Sequence, residues 1–132
     1  MCAGLYRFAR CGGRVTKLAF LIAKEEGFFK SGTLPQRDHN PGDLRHSPHS
    51  LHDPAAPDAI GDIDDDADGW ADLERQLRID AGRGLDLEQG IYSWAPPDDD
   101  NDTARYLDDV IAGFAGAVTA ETPLTEVLQI PA

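Results

Sequence analysis

Glu26 is the residue whose setting in the sequence is best suited to proton transfer. It ends an apolar helical segment and stands directly before Gly27, Phe28 and Phe29. A carboxyl group against aromatic surface loses hydration of its charged form, and a helix C-terminus also disfavours negative charge, so both effects raise its pKa. The sequence therefore predicts an acid able to donate a proton near neutral pH, as a glycosidase requires. The local alternative is that Glu25 and Glu26 are two solvated residues at a helix end.

A group of histidines suggests a second chemistry, metal binding. His39, His46, His49 and His52 fall within fourteen residues, beside Asp53. Zinc ligands must converge on one point, and a chain broken by prolines does not fix such spacings on a common face. The H-E-x-x-H pattern is also missing. We therefore expect a polar surface loop, with zinc as the alternative.

An acidic run at residues 64–69 reads D-D-D-A-D-G and resembles the opening of a calcium loop. Such a loop closes with a bidentate Glu at its twelfth position, where this chain has Arg75, with Glu74 one place early. Asp residues are also favoured at helix N-termini. We interpret the run as the acidic cap of the next helix, and predict neither a metal nor another cofactor, with calcium as the alternative.

Glu26 must be positioned by a helix. Apolar residues recur at helical spacing over residues 16–29, Thr16 is a suitable N-cap, and Gly27 marks the end of the helix. Residues 30–68 then contain five prolines among Gly, Ser, Asn and Asp. This composition breaks helices, so we expect a long irregular loop after the first core helix, with room for a short hairpin.

Helical spacing of apolar residues returns in four later segments, near residues 69–81, 86–94, 102–118 and 122–128. In the first of these, Trp70, Leu73 and Leu77 form the predicted inner face, whereas Glu74 is assigned to the outer face with its charged neighbours. The last is predicted to begin at Thr122. The predicted fold is therefore mainly α, a small helical domain of about five helices around one long loop.

Length and composition favour one globular domain. The chain has 132 residues, of which 41% are hydrophobic and 27% charged. We place the domain at residues 15–132, after an N-terminal tail at residues 1–14. The longest apolar run, residues 18–23, is too short to span a bilayer, which argues against a membrane protein. The net charge of −12 argues against nucleic acid as a partner, because phosphate binding relies on Lys and Arg.

Several separated motifs resemble a family of phage endolysin-like and virion-associated proteins. Residues 26–29 read E-G-F-F, residues 40–45 read N-P-G-D-L-R, and residues 91–107 contain W-A-P-P followed by N, T and Y-L. In that family, an E-G-F/Y at a helix end precedes R-x-N-N-P-G-N-L-R and a W-A-P-P…N-x-T-x-x-Y-L segment. This chain has His39 and Asp43 where the family usually has Asn. The resemblance covers roughly residues 19–118, and no single motif would suffice for it.

The resemblance implies a lysozyme-like fold and cleavage of the glycan strands of peptidoglycan. Glu26 matches the family's glutamate at the end of the first core helix better than Glu25 does, which makes it the candidate general acid. No second carboxylate stands out among the many Asp residues. This favours lytic-transglycosylase chemistry, in which a hydroxyl of the substrate attacks, over hydrolysis of the muramidase type.

Four further residues are candidates for the sugar cleft: Asn40, Arg45, Asn101 and Tyr106. Asn and Arg offer directional donors for acetamido and hydroxyl groups, and Tyr can stack on a sugar face. An ordinary turn at Asn40 and a core contact at Tyr106 are the alternatives. The expected partners are peptidoglycan glycan strands and, for a virion protein, other phage virion proteins.

The N-terminal tail predicts where the protein acts. It has Arg7 and Arg10 but no continuous apolar segment before a cleavage site, so it does not resemble a secretory signal peptide. Cys2 and Cys11 both fall in the tail, which makes a disulfide framework unlikely. We expect synthesis in the bacterial cytoplasm and action at the cell wall, after release or as part of a virion. The alternative function is a non-catalytic virion structural or cell-wall-binding module.

Overall fold

The computed structural model describes residues 15–51 and 60–132. Within these two ranges the chain forms six α-helices and a short 3-10 helix at Pro97–Asp99. The helices are α1 (Lys17–Glu25), α2 (Leu34–Arg37), α3 (Asp66–Gly82), α4 (Leu87–Trp94), α5 (Thr103–Gly113) and α6 (Leu124–Val127). Neither range contains a β-strand. The only β-type pairings within these ranges are three isolated bridges. The prediction of a mainly α domain is confirmed.

The predicted tail at residues 1–14, with both cysteines, lies outside the described residues, and so do His52 and Asp53. None of the helices that are described is long and apolar enough to cross a membrane.

Helix α1 begins where the sequence predicts. The hydroxyl of Thr16 accepts a hydrogen bond from the amide of Ala19 at 3.2 Å, so Thr16 is the N-cap. The carboxylate of Glu74 in turn accepts hydrogen bonds from the Thr16 amide and hydroxyl, at 2.7 and 3.0 Å. The assignment of Glu74 to an outer face is therefore wrong, since this side chain is buried against the beginning of α1.

Buried apolar side chains from α1, α3, α4, α5 and α6 form one cluster. The inner face predicted for α3 is confirmed, because Trp70, Leu73 and Leu77 are all buried in this cluster. The ring of Phe28, just beyond α1, meets that of Trp70 edge to face at 5.4 Å between centroids. This packing fixes the C-terminal end of α1 against α3.

The long segment between α1 and α3 is more ordered than its composition predicts. It contains the four-residue helix α2, which the sequence pattern did not reveal. In place of the suggested hairpin, the described part has one isolated bridge between Leu51 and Asp62. A Cβ atom at Gly69 would lie 2.0 Å from the carbonyl oxygen of His39, so only glycine lets α3 approach this segment so closely.

Two histidine–aspartate pairs also hold this segment on the first turns of α3. Nδ1 of His39 lies 2.7 Å from the carboxylate of Asp66. Nδ1 and the backbone amide of His49 bind the two carboxylate oxygens of the buried Asp72, at 2.6 and 3.0 Å. The Asp72 contact raises the pKa of His49. The segment is thus attached to α3 at two points that flank residues 40–48.

Candidate active site

Glu26 occupies the C-cap of α1, and the two residues after it stop the helix. The amide of Phe28 donates to the carbonyl of Ala23 at 2.9 Å, and that of Gly27 donates to Lys24 at 3.1 Å. Gly27 has a φ of 84°. This is the Schellman arrangement, in which glycine takes the left-handed conformation and the next residue is apolar. The E-G-F sequence therefore ends helix α1, and Glu26 lies partly buried at that end.

The surroundings of Glu26 favour the protonated acid. Burial, followed by repulsion from Asp43, raises the pKa of Glu26 to about 7, although a hydrogen bond from Tyr106 opposes the shift. That hydrogen bond is weak, because the Tyr106 hydroxyl lies 3.5 Å from Oε2 of Glu26. Burial also raises the pKa of Tyr106 above its usual value, so this residue is a neutral donor. The pKa of Glu26 is thus shifted in the direction that the sequence predicts, although the repulsion from Asp43 was not part of that prediction.

Asp43 reaches the same site from the loop between α2 and α3. Asn40 shapes this loop: its side-chain amide donates to the carbonyls of Leu44 and Gly61, and its carbonyl oxygen accepts from the Leu44 amide. The amide of Asp43 donates to the Asn40 carbonyl at 3.0 Å, and Asp43 has a φ of 51°. The turn therefore fixes the backbone of Asp43 in the left-handed region.

The carboxyl groups of Glu26 and Asp43 line one cavity of about 160 Å³. Its other walls come from the Asp43 loop and from the end of α4 with the turn that follows: Gly42, Arg45, Ile60, Trp94, Ala95, Asp99 and Asn101. A second cavity of about 370 Å³ adjoins it and shares Asp43, Arg45 and Trp94 among its lining residues. We refer to these two cavities together as the groove.

Comparisons with protein-family models, with curated proteins and with solved structures find no match to this chain. A function for this chain must therefore be inferred from its sequence motifs and from the chemistry of the groove.

The candidate sugar-binding residues differ in their positions. Arg45 and Asn101 line the cavity with Glu26, although the Asn101 amide also donates to the carbonyl of Pro96 at 3.0 Å. Tyr106 contacts Glu26 and lines a separate cavity of about 430 Å³, which Glu25 also lines. Asn40, in contrast, is 0% exposed and its amide is used inside the loop. Asn40 therefore shapes the turn, and the structure gives it no surface for a sugar contact.

Sequence reasoning missed two residues of the groove, Asp43 and Trp94. Asp43 was noted only as a departure from the family motif. Trp94 was noted as part of the W-A-P-P motif, and it is half-buried at the groove. The φ values of His39 and Asp43 are 52° and 51°. Asn, Asp and His are the non-glycine residues that most often adopt this conformation. Asp at position 43 is thus compatible with this backbone conformation and brings a carboxylate to the cavity.

The described parts of the chain contain no group of three His, Cys, Asp or Glu side chains arranged to hold a metal ion. The acidic run at residues 64–69 caps the N-terminus of α3. The carboxylate of Asp65, the N-cap, accepts a hydrogen bond from the amide of Asp68 at 2.8 Å. His39 and His49 pair with aspartates of α3 instead of with each other.

Proposed function

We propose that this domain cleaves the glycan strands of peptidoglycan with Glu26 as the general acid. The observation that carries the proposal is the position of Glu26 in a polar groove, where its pKa is raised to about 7. A carboxyl group with such a pKa is about half protonated at pH 7, and its protonated form can donate to a leaving group.

In the proposed reaction, Glu26 donates its proton to the glycosidic oxygen as the bond to the anomeric carbon breaks. The electron pair of that bond stays on the oxygen, which leaves as a hydroxyl group. Positive charge develops on the sugar, and the carboxylate that Glu26 has become can stabilise it. Tyr106 donates a weak hydrogen bond that orients the carboxyl group of Glu26. The pKa of Glu26 stays raised in the presence of this hydrogen bond.

The groove has groups suited to a sugar chain. Trp94 offers an aromatic face, and Arg45 offers donors for hydroxyl and acetamido oxygens. The overall charge of −12 repels an anionic polymer at long range. The cavity beside Tyr106 is lined by three basic and three acidic side chains, so this part of the surface does not add to that repulsion.

Replacing Glu26 by Gln tests the proposal, because Gln keeps the shape of the side chain and has no proton to donate. We expect release of soluble fragments from purified cell-wall sacculi to fall at least about a hundredfold, the usual contribution of a general acid. Glu25→Gln is the matched control: it removes the same charge one residue earlier, from an exposed side chain outside the Glu26 cavity. This variant should keep most of its activity.

A native protein that binds sacculi and releases no fragments would reject the enzyme and leave the wall-binding or virion structural module. Equal activity of the native and Glu26→Gln proteins would reject Glu26 as the acid.

A further inference from the structure

Asp43 has an unusual environment for a carboxylate. Its Oδ1 atom is buried, and no hydrogen-bond partner for it exists among the described residues. A buried carboxylate oxygen normally has a donor, because its desolvation is otherwise uncompensated. The same side chain lines the cavity with Glu26. Because no donor compensates the burial of Oδ1, the fold keeps Asp43 beside the cavity without a structural hydrogen bond to that atom.

The position of Asp43 is also rigidly set. The three hydrogen bonds of the buried Asn40 amide fix the turn, and the left-handed backbone at Asp43 leaves few other orientations of the loop. Gly42 lies so close to Trp94 that a Cβ atom there would be 2.9 Å from its ring. The loop is therefore packed against the groove wall, and Asp43 is held where it is.

We propose that Asp43 is the second catalytic carboxylate, which accepts a proton from the water that attacks the sugar, so that the domain hydrolyses the glycan. This inference rests on the proposed glycan cleavage, and it specifies the reaction type. The sequence alone favoured the transglycosylase route because no aspartate stood out. Two aspartates, Asp43 and Asp99, line the cavity with Glu26. Asp99 is exposed, whereas Asp43 is partly buried and close enough to Glu26 to repel its charge, so the fold favours Asp43.

The reaction balances with these two groups. Glu26 gives its proton to the leaving oxygen, and the bond between that oxygen and the anomeric carbon breaks. A water molecule forms the new bond to the anomeric carbon while Asp43 takes one of its protons. Afterwards Asp43 is protonated and Glu26 is ionised, and exchange with solvent restores both. The net change is one glycosidic bond and one water converted into two hydroxyl groups.

The charges around Glu26 and Asp43 predict how the pH profile of activity should change in an Asp43 variant. This measurement is independent of the chemical identity of the products. Asp43 and Glu25 both raise the pKa of Glu26, and the Tyr106 hydrogen bond lowers it. The pKa of Asp43 is itself raised, mainly by burial and then by Asp38, against the attraction of Arg45. Removing the charge at position 43 should therefore lower the pKa of Glu26 and move the alkaline limb of the activity profile to lower pH.

The test compares the native protein with Asp43→Asn on purified sacculi, with the released fragments identified by mass spectrometry. Asn adopts the left-handed backbone as readily as Asp, so the turn is retained. We expect native fragments to end in reducing sugars and to incorporate one oxygen from isotopically labelled water. Asp43→Asn should lose at least about a hundredfold of this hydrolysis, while its melting temperature and sacculus binding stay unchanged.

Asp38→Asn is the control, because it removes a carboxylate from the same segment but not from the cavity wall. It should retain the hydrolytic products. Native fragments with anhydro ends, or an Asp43→Asn protein with the native hydrolysis rate and pH profile, would overturn the role of Asp43. Either result would leave Glu26-dependent cleavage standing. Loss of the proposed function itself would be recognised differently, by a native protein that releases no fragments.

Discussion

Glu26 and Glu74 are two glutamates removed from most of the solvent, and they differ in the donors around them. Glu74, which is 2% exposed, accepts two hydrogen bonds from Thr16 at 3.0 Å or less. Glu26 has a weak contact from Tyr106 at 3.5 Å and borders a cavity. Burial raises the pKa of both. Burial alone therefore does not distinguish Glu74, which has a structural role, from Glu26, the proposed acid, whereas the supply of hydrogen-bond donors does.

The largest expected difference is in the pH dependence of stability. The folded state holds a proton on Glu26 between its ordinary pKa of 4.5 and about 7, and the unfolded state does not. The free energy of unfolding should therefore fall as pH rises through this window, by up to about 3 kcal/mol. Urea unfolding at a series of pH values measures this slope.

Glu26→Gln supplies the control for that measurement, since Gln does not titrate. Its unfolding free energy should vary less between these pH values than that of the native protein. The remaining slope belongs to other groups, Glu74 among them. Identical slopes in the two proteins would contradict the raised pKa of Glu26.

A smaller effect is expected from Glu74→Ala. It leaves the amide of Thr16 without its acceptor at the beginning of α1, so the unfolding free energy should drop by about 2 kcal/mol. Glu74→Gln should restore part of this loss, because its amide oxygen can still accept. Glu26→Ala, measured in parallel at pH 8, should not destabilise the fold in the same way. A similar loss in both alanine variants would erase the distinction between the two glutamates.

The smallest effect concerns the end of α1. Gly27→Ala forces a side chain into the left-handed backbone and should cost about 1 kcal/mol of stability. Gly84 follows α3 with a similar φ of 79°, so Gly84→Ala is the matched control with a similar loss. Only the change at Gly27 should also reduce sacculus cleavage, because it displaces Glu26. Equal cleavage by the two variants would show that the site tolerates movement of the helix end.

Local pattern was sufficient to predict the helices that build the core. The apolar spacing located α1, α3 and α5, and the inner face of α3 and the N-cap Thr16 followed from short-range preferences. The last helix begins at Leu124, two residues after the predicted start at Thr122. These features depend on neighbours within one or two turns, which a sequence displays directly.

Features that depend on distant parts of the chain were not predictable in this way. Glu74 looked like a surface residue because its partner, Thr16, is 58 positions away. Asn40 looked like a sugar contact because its hydrogen bonds to Leu44 and Gly61 exist only once the loop closes. Asp43 was hidden among many aspartates until the fold placed it beside Glu26. Tertiary contacts decide these roles, and one sequence does not contain them explicitly.

The attachment of the Asp43 loop to α3 has an energetic consequence for binding. His39 and His49 attach residues 39–49 of this loop to α3, and the side chain of Asn40 hydrogen-bonds to Leu44 within it. A loop that is free before binding must lose conformational entropy when a ligand arrives, and this loss weakens affinity. Here the ordering takes place during folding. A ligand that enters the groove would therefore meet a wall that is already in place, and its contacts with that wall would contribute more fully to affinity.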